Sequence, residues 1–379
     1  MKLVYLCNEY PPHSAIGGIG VFTHTIAHEM VRIGHTVTVL GYGKMRGTRW
    51  DSGVKIVTLP DIHIPKIAWI LNRCLLFGYL KKMVYDRNVD MIESPEYQGM
   101  LPVRFSACPT VIRLHLSQTS MEKLSDNTGN RCIHFLEHRT LQANRNWIAV
   151  SNHILKQTED IFDLKPLHSS VIYNPVCIDD IHASGGLGHP EPYVLFVGTV
   201  SQRKGADTLA HAACLFLDAF PELHLVYVGD IVNIGEKHSD VAIRQILGER
   251  LAERVHFTGG IAHAQVMQWM RRAKVFVFPS KLEAFGIVCG EAMLSGVPVI
   301  FSRTGPGAEI IQDGVDGLLA DPYEYRDVAE KVIYILTHQE LAKKMASVAQ
   351  EIVRQRFSAR RCAELSLDFY TKCIKMYHD

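Results

Sequence analysis

The sequence predicts two doubly wound α/β domains in one chain of 379 residues. Three observations predict this class. Short β-branched or aromatic runs alternate with longer stretches of helical spacing from the first residues onward, the signature of a parallel sheet covered on both faces. The alternation breaks once, at residues 179–192 (DDIHASGGLGHPEP), where three glycines and two prolines interrupt any apolar period. It then restarts and continues toward the C-terminus. The length prior of two or three domains agrees.

The elements follow in order. Residues 2–6 form a short apolar strand. Residues 21–33 are helical, with Val21, Ile26, Met30 and Ile33 near one face, and Gly34 stops them. Strands follow at 36–40 and 54–59, a helix at 67–85, and strands at 91–93, 110–114 and 147–150. Beyond the break, strands are expected at 194–197, 224–228, 255–258, 275–278 and 297–301, with helices between. The domain limits are therefore 1–178, a linker at 179–192, and 193–357, with residues 358–379 as a last helix packing back on the first domain.

Composition excludes several classes. Lys plus Arg is 40 and Asp plus Glu is 39, a net charge of +1, so the chain is no polycation built to coat nucleic acid. No apolar run approaches the roughly 18 residues of a membrane span. Nine cysteines, an odd and scattered set without Cys-x-x-Cys, fit neither a disulfide framework nor a zinc knuckle and favour a reducing cytoplasm. No two aspartates stand two residues apart, and no His/Cys cluster with metal spacing is read. No metal ion and no other cofactor are expected.

The most informative stretch is 279–298, PSKLEAFGIVCGEAMLSGVP. A strand ends at Pro279. A loop carries Glu283, Phe285 and Gly286, and a helix begins at Ile287. The first amides of that helix, at Gly286, Ile287 and Val288, lack intrahelical acceptors and make a natural seat for phosphate. Glu291, one turn in, can accept two hydrogen bonds from a vicinal diol such as a ribose. Arg203 and Lys204 lie between a strand end at 197–198 and a helix start near Gly205. The C-terminal edge of a parallel sheet is where α/β proteins bind ligands, and two cations there can stabilise a diphosphate leaving group. Gly17-Gly18-x-Gly20 opens the first helix and suits close backbone approach to a diphosphate. No acid ends the second strand to hold an adenosine ribose, which argues against a dinucleotide site. His115 ends a strand, and Glu93-Ser94-Pro95-Glu96-Tyr97 follows another.

Glu283-Ala-Phe-Gly-Ile-Val-Cys-Gly-Glu291 resembles the Glu-x7-Glu signature of retaining glycosyltransferases of family 4 (glycosyltransferase group 1), which have the GT-B fold. Asn8-Glu9-Tyr10-Pro11-Pro12 with Gly17-Gly18-Ile19-Gly20 is similar to that family's first strand and glycine-rich loop. Gly198-Thr-Val-Ser-Gln-Arg203-Lys204-Gly205 resembles its diphosphate loop, although Thr199 stands where many members carry arginine. Val255-His-Phe-Thr-Gly259-Gly260-Ile261 resembles the loop beside the base, and residues 310–319 resemble a stretch beyond the signature.

The resemblance implies two Rossmann-like domains facing each other across a cleft, the first binding the acceptor and the second a nucleotide diphosphate sugar. It implies catalytic roles for Glu283 and His115, with His115 close to the donor sugar. The diphosphate would contact Gly18, Arg203, Lys204, Gly286, Ile287 and Val288. Glu291 and Ile261 would hold the ribose and base, and Phe285 the donor sugar. The implied reaction is retaining, metal-independent transfer to a hydroxyl, with a glycan or lipid-linked intermediate of surface polysaccharide synthesis as acceptor. A sugar-nucleotide epimerase, a phosphorylase or a non-catalytic sugar-nucleotide sensor are the alternatives. Residues 1–175 carry 19 Lys/Arg against 14 Asp/Glu. Residues 62–85 mix bulky apolar side chains, Trp69, Leu76 and Leu80 among them, with Lys66, Arg73, Lys81 and Lys82. Both features suggest a cytoplasmic protein attached peripherally to an anionic membrane face.

Overall fold

The structure, a computed structural model, describes residues 1–11, 17–44, 46–125, 129–176 and 188–378. It forms two compact units. One is Met1–Pro175 with Ala359–Asp379, and the other is Val176–Ser358.

The first unit holds β1 (Lys2–Leu6), α1 (Gly18–Arg32), β2 (Thr36–Gly43), β3 (Gly47–Asp51), β4 (Val54–Pro60) and α2 (Ala68–Tyr85). Then come β5 (Met91–Pro95), β6 (Thr110–Leu114), α3 (Gln118–Leu124), α4 (Arg131–Ala143), β7 (Asn146–Ala149), α5 (Asn152–Phe162) and β8 (His168–Val171). The sheet order is β3-β4-β2-β1-β5-β6-β7-β8. Every pairing is parallel except the β3–β4 hairpin. Strands such as β1, with Leu3, Val4, Tyr5 and Leu6 all buried, are apolar on both faces because helices cover both. On one face α1 lays Phe22, Ile26, Ala27 and Met30 into a core shared with the C-terminal helix Ala359–His378 through Ala363, Phe369 and Tyr370.

That last helix is also held by a buried polar network. Arg113 on β6 donates to Glu93 on β5 at 2.7 and 3.0 Å and to Ser366 at 3.1 Å, and the Tyr370 hydroxyl donates to Glu93. Breaking such a pair leaves an uncompensated buried charge, which is strongly destabilising. Glu93 is thus fully engaged inside the unit.

The second unit begins with β9 (Tyr193–Val197), α6 (Ala206–Ala219), β10 (His224–Val228) and the small hairpin β11 (Asn233–Ile234) with β12 (Lys237–His238). It continues through α7 (Ser239–Ala252), β13 (Val255–Phe257), α8 (His263–Arg272), β14 (Val275–Phe278), α9 (Ile287–Ser295) and β15 (Val299–Ser302). It ends with α10 (Gly307–Ile310), β16 (Leu318–Ala320), α11 (Tyr325–Thr337) and α12 (Gln339–Arg356). The main sheet, β13-β10-β9-β14-β15-β16, is parallel throughout. Counted within the unit, this is the doubly wound 3-2-1-4-5-6 order, whose switch point falls between β9 and β14.

Several expectations need correction. β3, β8 and β16 are strands that the sequence reading did not assign. The expected linker at 179–192 lies largely outside the described residues. The second unit starts earlier than residue 193: the Val176 amide donates to the Phe357 carbonyl at 2.8 Å, and its fully buried side chain packs where Gly290 has none. In α2, Leu76 and Leu80 are core residues. Arg73 is buried, its guanidinium bonded to the carbonyls of Gly99 and Trp69 at 2.8 and 2.9 Å and to that of Gln98. These three side chains cannot face a membrane. Among the described residues, no helix is long and apolar enough to cross one.

Candidate active site

In the second unit the site grows from the switch point. After β9, the backbone turns through Gly198, a short 3-10 turn at Gln202–Lys204, and Gly205. Gly205 has a φ of +74°, and a Cβ there would lie 1.9 Å from the Pro279 carbonyl oxygen. Only glycine lets the loops after β9 and β14 approach this closely. The Lys281 amide bonds the Arg203 carbonyl at 2.9 Å, and the Lys281 ammonium reaches Asp207 at 2.9 Å, so the two loops are pinned together.

This pinning brings the predicted residues together. The Lys204 ammonium is paired with the Glu283 carboxylate, and both side chains are mostly buried. Lys204 also lies 5.2 Å from the centre of the Phe278 ring. The Glu283 Cγ sits 3.5 Å from where a Gly286 side chain would begin. Gly286 has a φ of +87°, and a Cβ there would meet the Phe301 ring at 2.9 Å. This left-handed turn swings the chain from the Glu283 loop into α9, whose first amides belong to Ile287 and Val288. Arg203 is exposed beside Lys204. The arrangement combines a buried cation, an exposed cation and a helix N-terminus, three elements that suit a polyanion.

A second cluster extends from it. Glu291 on α9 is 7% exposed and its Oε1 lies 2.8 Å from Nε2 of His263. His263 opens α8, two residues after the half-buried Ile261. The turn between β13 and α8 is set by Gly259, with a φ of +69°, and by Gly260, where a Cβ would lie 2.5 Å from Asp230 Oδ1. Glu291 and the base-side loop are thereby joined within one corner of the unit. His263 was missed by the sequence reading. Its signal was its place directly after Gly-Gly-Ile-Ala, at the start of a helix beside the candidate base loop.

Phe285 is not where the resemblance put it. It is 1% exposed and packs edge-on against Phe357 at 5.3 Å between ring centres. Its side chain is core and cannot touch a sugar. The loop turns it inward because Gly286 reverses the chain immediately after it.

In the first unit, Gly18 is the first residue of α1, and nothing would lie within 4 Å of a Cβ there. Its neighbours are explained internally instead. A side chain on Gly17 would strike the Glu9 carboxylate at 2.2 Å, and one on Gly20 the Glu9 carbonyl at 2.1 Å. The close approach these two glycines permit within the unit is to Glu9. Burial raises the pKa of Glu9, opposed by its bond from the Gly20 amide. Residues 12–16, which complete this motif, lie outside the described residues.

His115 directly follows β6, its ring edge-on to Phe22 at 4.8 Å. Its amide donates to Glu96 Oε1 at 2.7 Å. Burial, with the Arg113 charge second, holds its pKa well below the usual histidine range, so the ring is neutral near pH 7. The backbone here is strained: Leu116 has a φ of +93° and Gln98, beyond β5, a φ of +57°. Left-handed conformations of non-glycine residues concentrate at functional sites. Glu96 is fully buried, and burial, with Glu137 second, pushes its pKa up to about 8.

The expectation that no His/Cys cluster has metal spacing is also corrected. His24, His28 and Asp51 converge in the first unit, and His189, His224 and His256 converge in the second. Neither group includes a residue of the Lys204–Glu283–Glu291 site.

These geometries define a two-unit α/β protein of the GT-B fold with two cations and a helix N-terminus at one edge of its second sheet. Residues 178–352 match the family Glycosyl transferases group 1, and residues 16–180 match Glycosyltransferase Family 4. An uncharacterised glycosyltransferase of Methanocaldococcus jannaschii is 26% identical over 96% of this chain and 95% of its own. Among solved structures, sucrose-phosphate synthase from Thermosynechococcus elongatus superposes with a TM-score of 0.79 at 19% identity, covering 99% of both chains. Anabaena HepE in complex with UDP and glucose superposes with a TM-score of 0.74 at 20% identity, covering 98% of this chain and 99% of its own. The chain belongs to the family 4, group 1 glycosyltransferases and is a transferase.

Proposed function

We propose that the protein is a retaining glycosyltransferase that takes its sugar from a nucleotide diphosphate sugar without a metal ion. The observation that carries the reading is the Lys204–Glu283 pair set at the switch point against Gly286, the residue that opens α9. Lys204 exchanges Glu283 for the incoming diphosphate, with Arg203 and the Ile287 and Val288 amides adding stabilisation as charge builds on the leaving group. Glu283, released, holds the donor sugar. The acceptor oxygen bonds to the anomeric carbon on the face from which the diphosphate departs. The carbon–phosphate-oxygen bond breaks, and the departing phosphate oxygen takes the hydroxyl proton. Glu291 holds the ribose. The resemblance gives His115, neutral here, a place near the donor sugar and the Gly18 backbone a place at the diphosphate. The uridine nucleotide in the HepE complex supports a UDP-sugar as the first donor to try.

The acceptor reading is a glycan or lipid-linked intermediate met at a membrane surface. Its support is the exposure of Ile64, Ile67, Trp69, Ile70 and Leu75, with Lys66, Lys81 and Lys82 also exposed on the same segment. Apolar contact plus about 1 kcal/mol per basic residue suffices for reversible attachment to anionic lipid.

The test is a thermal-shift screen of UDP-, GDP- and ADP-sugars, followed by transfer of radiolabelled sugar with and without membrane extract in excess EDTA. Transfer that persists in EDTA and collapses in Glu283→Gln supports the reading. Loss with EDTA and rescue by Mg²⁺ or Mn²⁺, or transfer within about threefold of wild type in Glu283→Gln, overturns it. Salt-sensitive binding to anionic but not neutral liposomes, weakened by Lys81→Glu with Lys82→Glu, supports the membrane reading. Equal partitioning on both, or none, refutes it.

A further inference from the structure

His24 and His28 are four residues apart on α1, so both rings project from one face of the helix. Asp51, at the end of β3, comes up to meet them. Its Oδ2 lies 3.1 Å from Nε2 of His28 and 3.6 Å from Nε2 of His24. The two rings stand edge to face, with centres 4.1 Å apart. Ligand atoms about 2.0–2.1 Å from one tetrahedral zinc ion lie roughly 3.3–3.4 Å from each other. These two separations bracket that value, and all three candidate atoms lie within 4.8 Å of one another. The Tyr10 hydroxyl donates to the same Asp51 oxygen at 3.1 Å, the kind of outer hydrogen bond that orients a ligating carboxylate.

We propose that His24, His28 and Asp51 form a site for a zinc-class divalent cation that clamps α1 to the β3–β4 hairpin. Two imidazoles and one carboxylate are the donor set of zinc-class ions rather than of magnesium or calcium. Three protein ligands leave a fourth position for water. The clamp acts on the helix whose first turn carries Gly18, so metal binding stiffens the start of α1 and contributes stability to the first unit. The inference does not depend on the proposed sugar transfer.

The other histidine cluster is a weaker candidate. Nδ1 of His224 is already bonded to Nε2 of His256 at 2.9 Å, the His189 ring lies over both rings at 4.3 Å, and its Nδ1 accepts from the Glu191 amide at 3.2 Å. It serves as the internal control.

The experiment titrates ZnCl₂ into the chelator-stripped full chain by calorimetry and CoCl₂ by visible absorption. All three ligands are part-exposed, so His24→Gln, His28→Gln and Asp51→Asn are expected to fold, as checked by circular dichroism. The expected result is one zinc per chain, intense four-coordinate cobalt bands, and a melting temperature that rises with zinc. Each substitution weakens binding by about 10-fold or more, while His224→Gln with His256→Gln leaves it unchanged. The proposal is overturned if wild type binds no zinc below about 100 μM, if folded His24→Gln and Asp51→Asn bind like wild type, or if binding is lost in His224→Gln with His256→Gln instead.

Discussion

Replacing Glu291 by glutamine keeps the shape of the side chain and removes its charge. The carboxylate is 7% exposed and touches His263 at 2.8 Å, but that histidine is itself 43% exposed, so the pair adds little to stability. Folding should survive. Two ribose hydroxyls donating to a carboxylate contribute about 1.5–3 kcal/mol each, against about 0.5–1.5 for a neutral acceptor. The loss is therefore about 2–3 kcal/mol in all, or roughly 30- to 150-fold in the nucleotide dissociation constant. The assay is calorimetry at 25 °C with the nucleotide diphosphate that binds best, and with its 2′,3′-dideoxy analogue. Wild type should discriminate strongly between the two, and Glu291→Gln should discriminate less, by roughly the same 30- to 150-fold. Binding within about threefold of wild type, or undiminished discrimination in the variant, would refute the ribose assignment.

Three further outcomes follow from the same geometry. Phe285→Ala should cost about 3–5 kcal/mol in denaturant unfolding because the ring is core, whereas Phe285→Leu should leave the donor KM unchanged; a raised KM in a fully stable Phe285→Leu would restore the sugar-contact role. Gly205→Ala forces a Cβ against the Pro279 carbonyl and should lower kcat/KM by about 100-fold through displaced loops. Gly34→Ala, at a positive φ of +90° with open space around it, should cost only about 1 kcal/mol of stability. Because the folded-state pKa of Glu96 is raised to about 8, its contribution to stability is full below the ordinary glutamate pKa and is lost as pH rises through 8. Thermal melts of Glu96→Gln from pH 5 to 9 should lack that part of the decline, and an identical pH profile in the two proteins would refute it.

Much of the fold was legible in the sequence because a parallel strand buried on both faces is a local signal. β9 and β14 are unbroken apolar runs, β10 and β15 are apolar but for His224 and Ser302 at their ends, and α9 is announced by the Gly286 before it. Strands whose residues do not read that way escaped: β3 is polar and exposed at the hairpin edge, and β8 is His-Ser-Ser-Val. The Lys204, Glu283 and Glu291 positions were also legible, since each lies where a strand gives way to a loop or helix start, and the order of strands then fixes which loops share an edge.

Tertiary packing alone decided the rest. Phe285 and Phe357 are far apart in sequence, and only the turn at Gly286 sends the aromatic ring inward. Glu93 on β5 finds its partners on other elements, Arg113 on β6 and Tyr370 on the C-terminal helix, with Ser366 bonded to Arg113. His263 meets Glu291, and His24 and His28 meet Asp51, because separate elements dock side by side. Local periodicity records which face of an element is apolar. It does not record which other element that face will meet, so side-chain partnerships across elements appear only once the chain has folded.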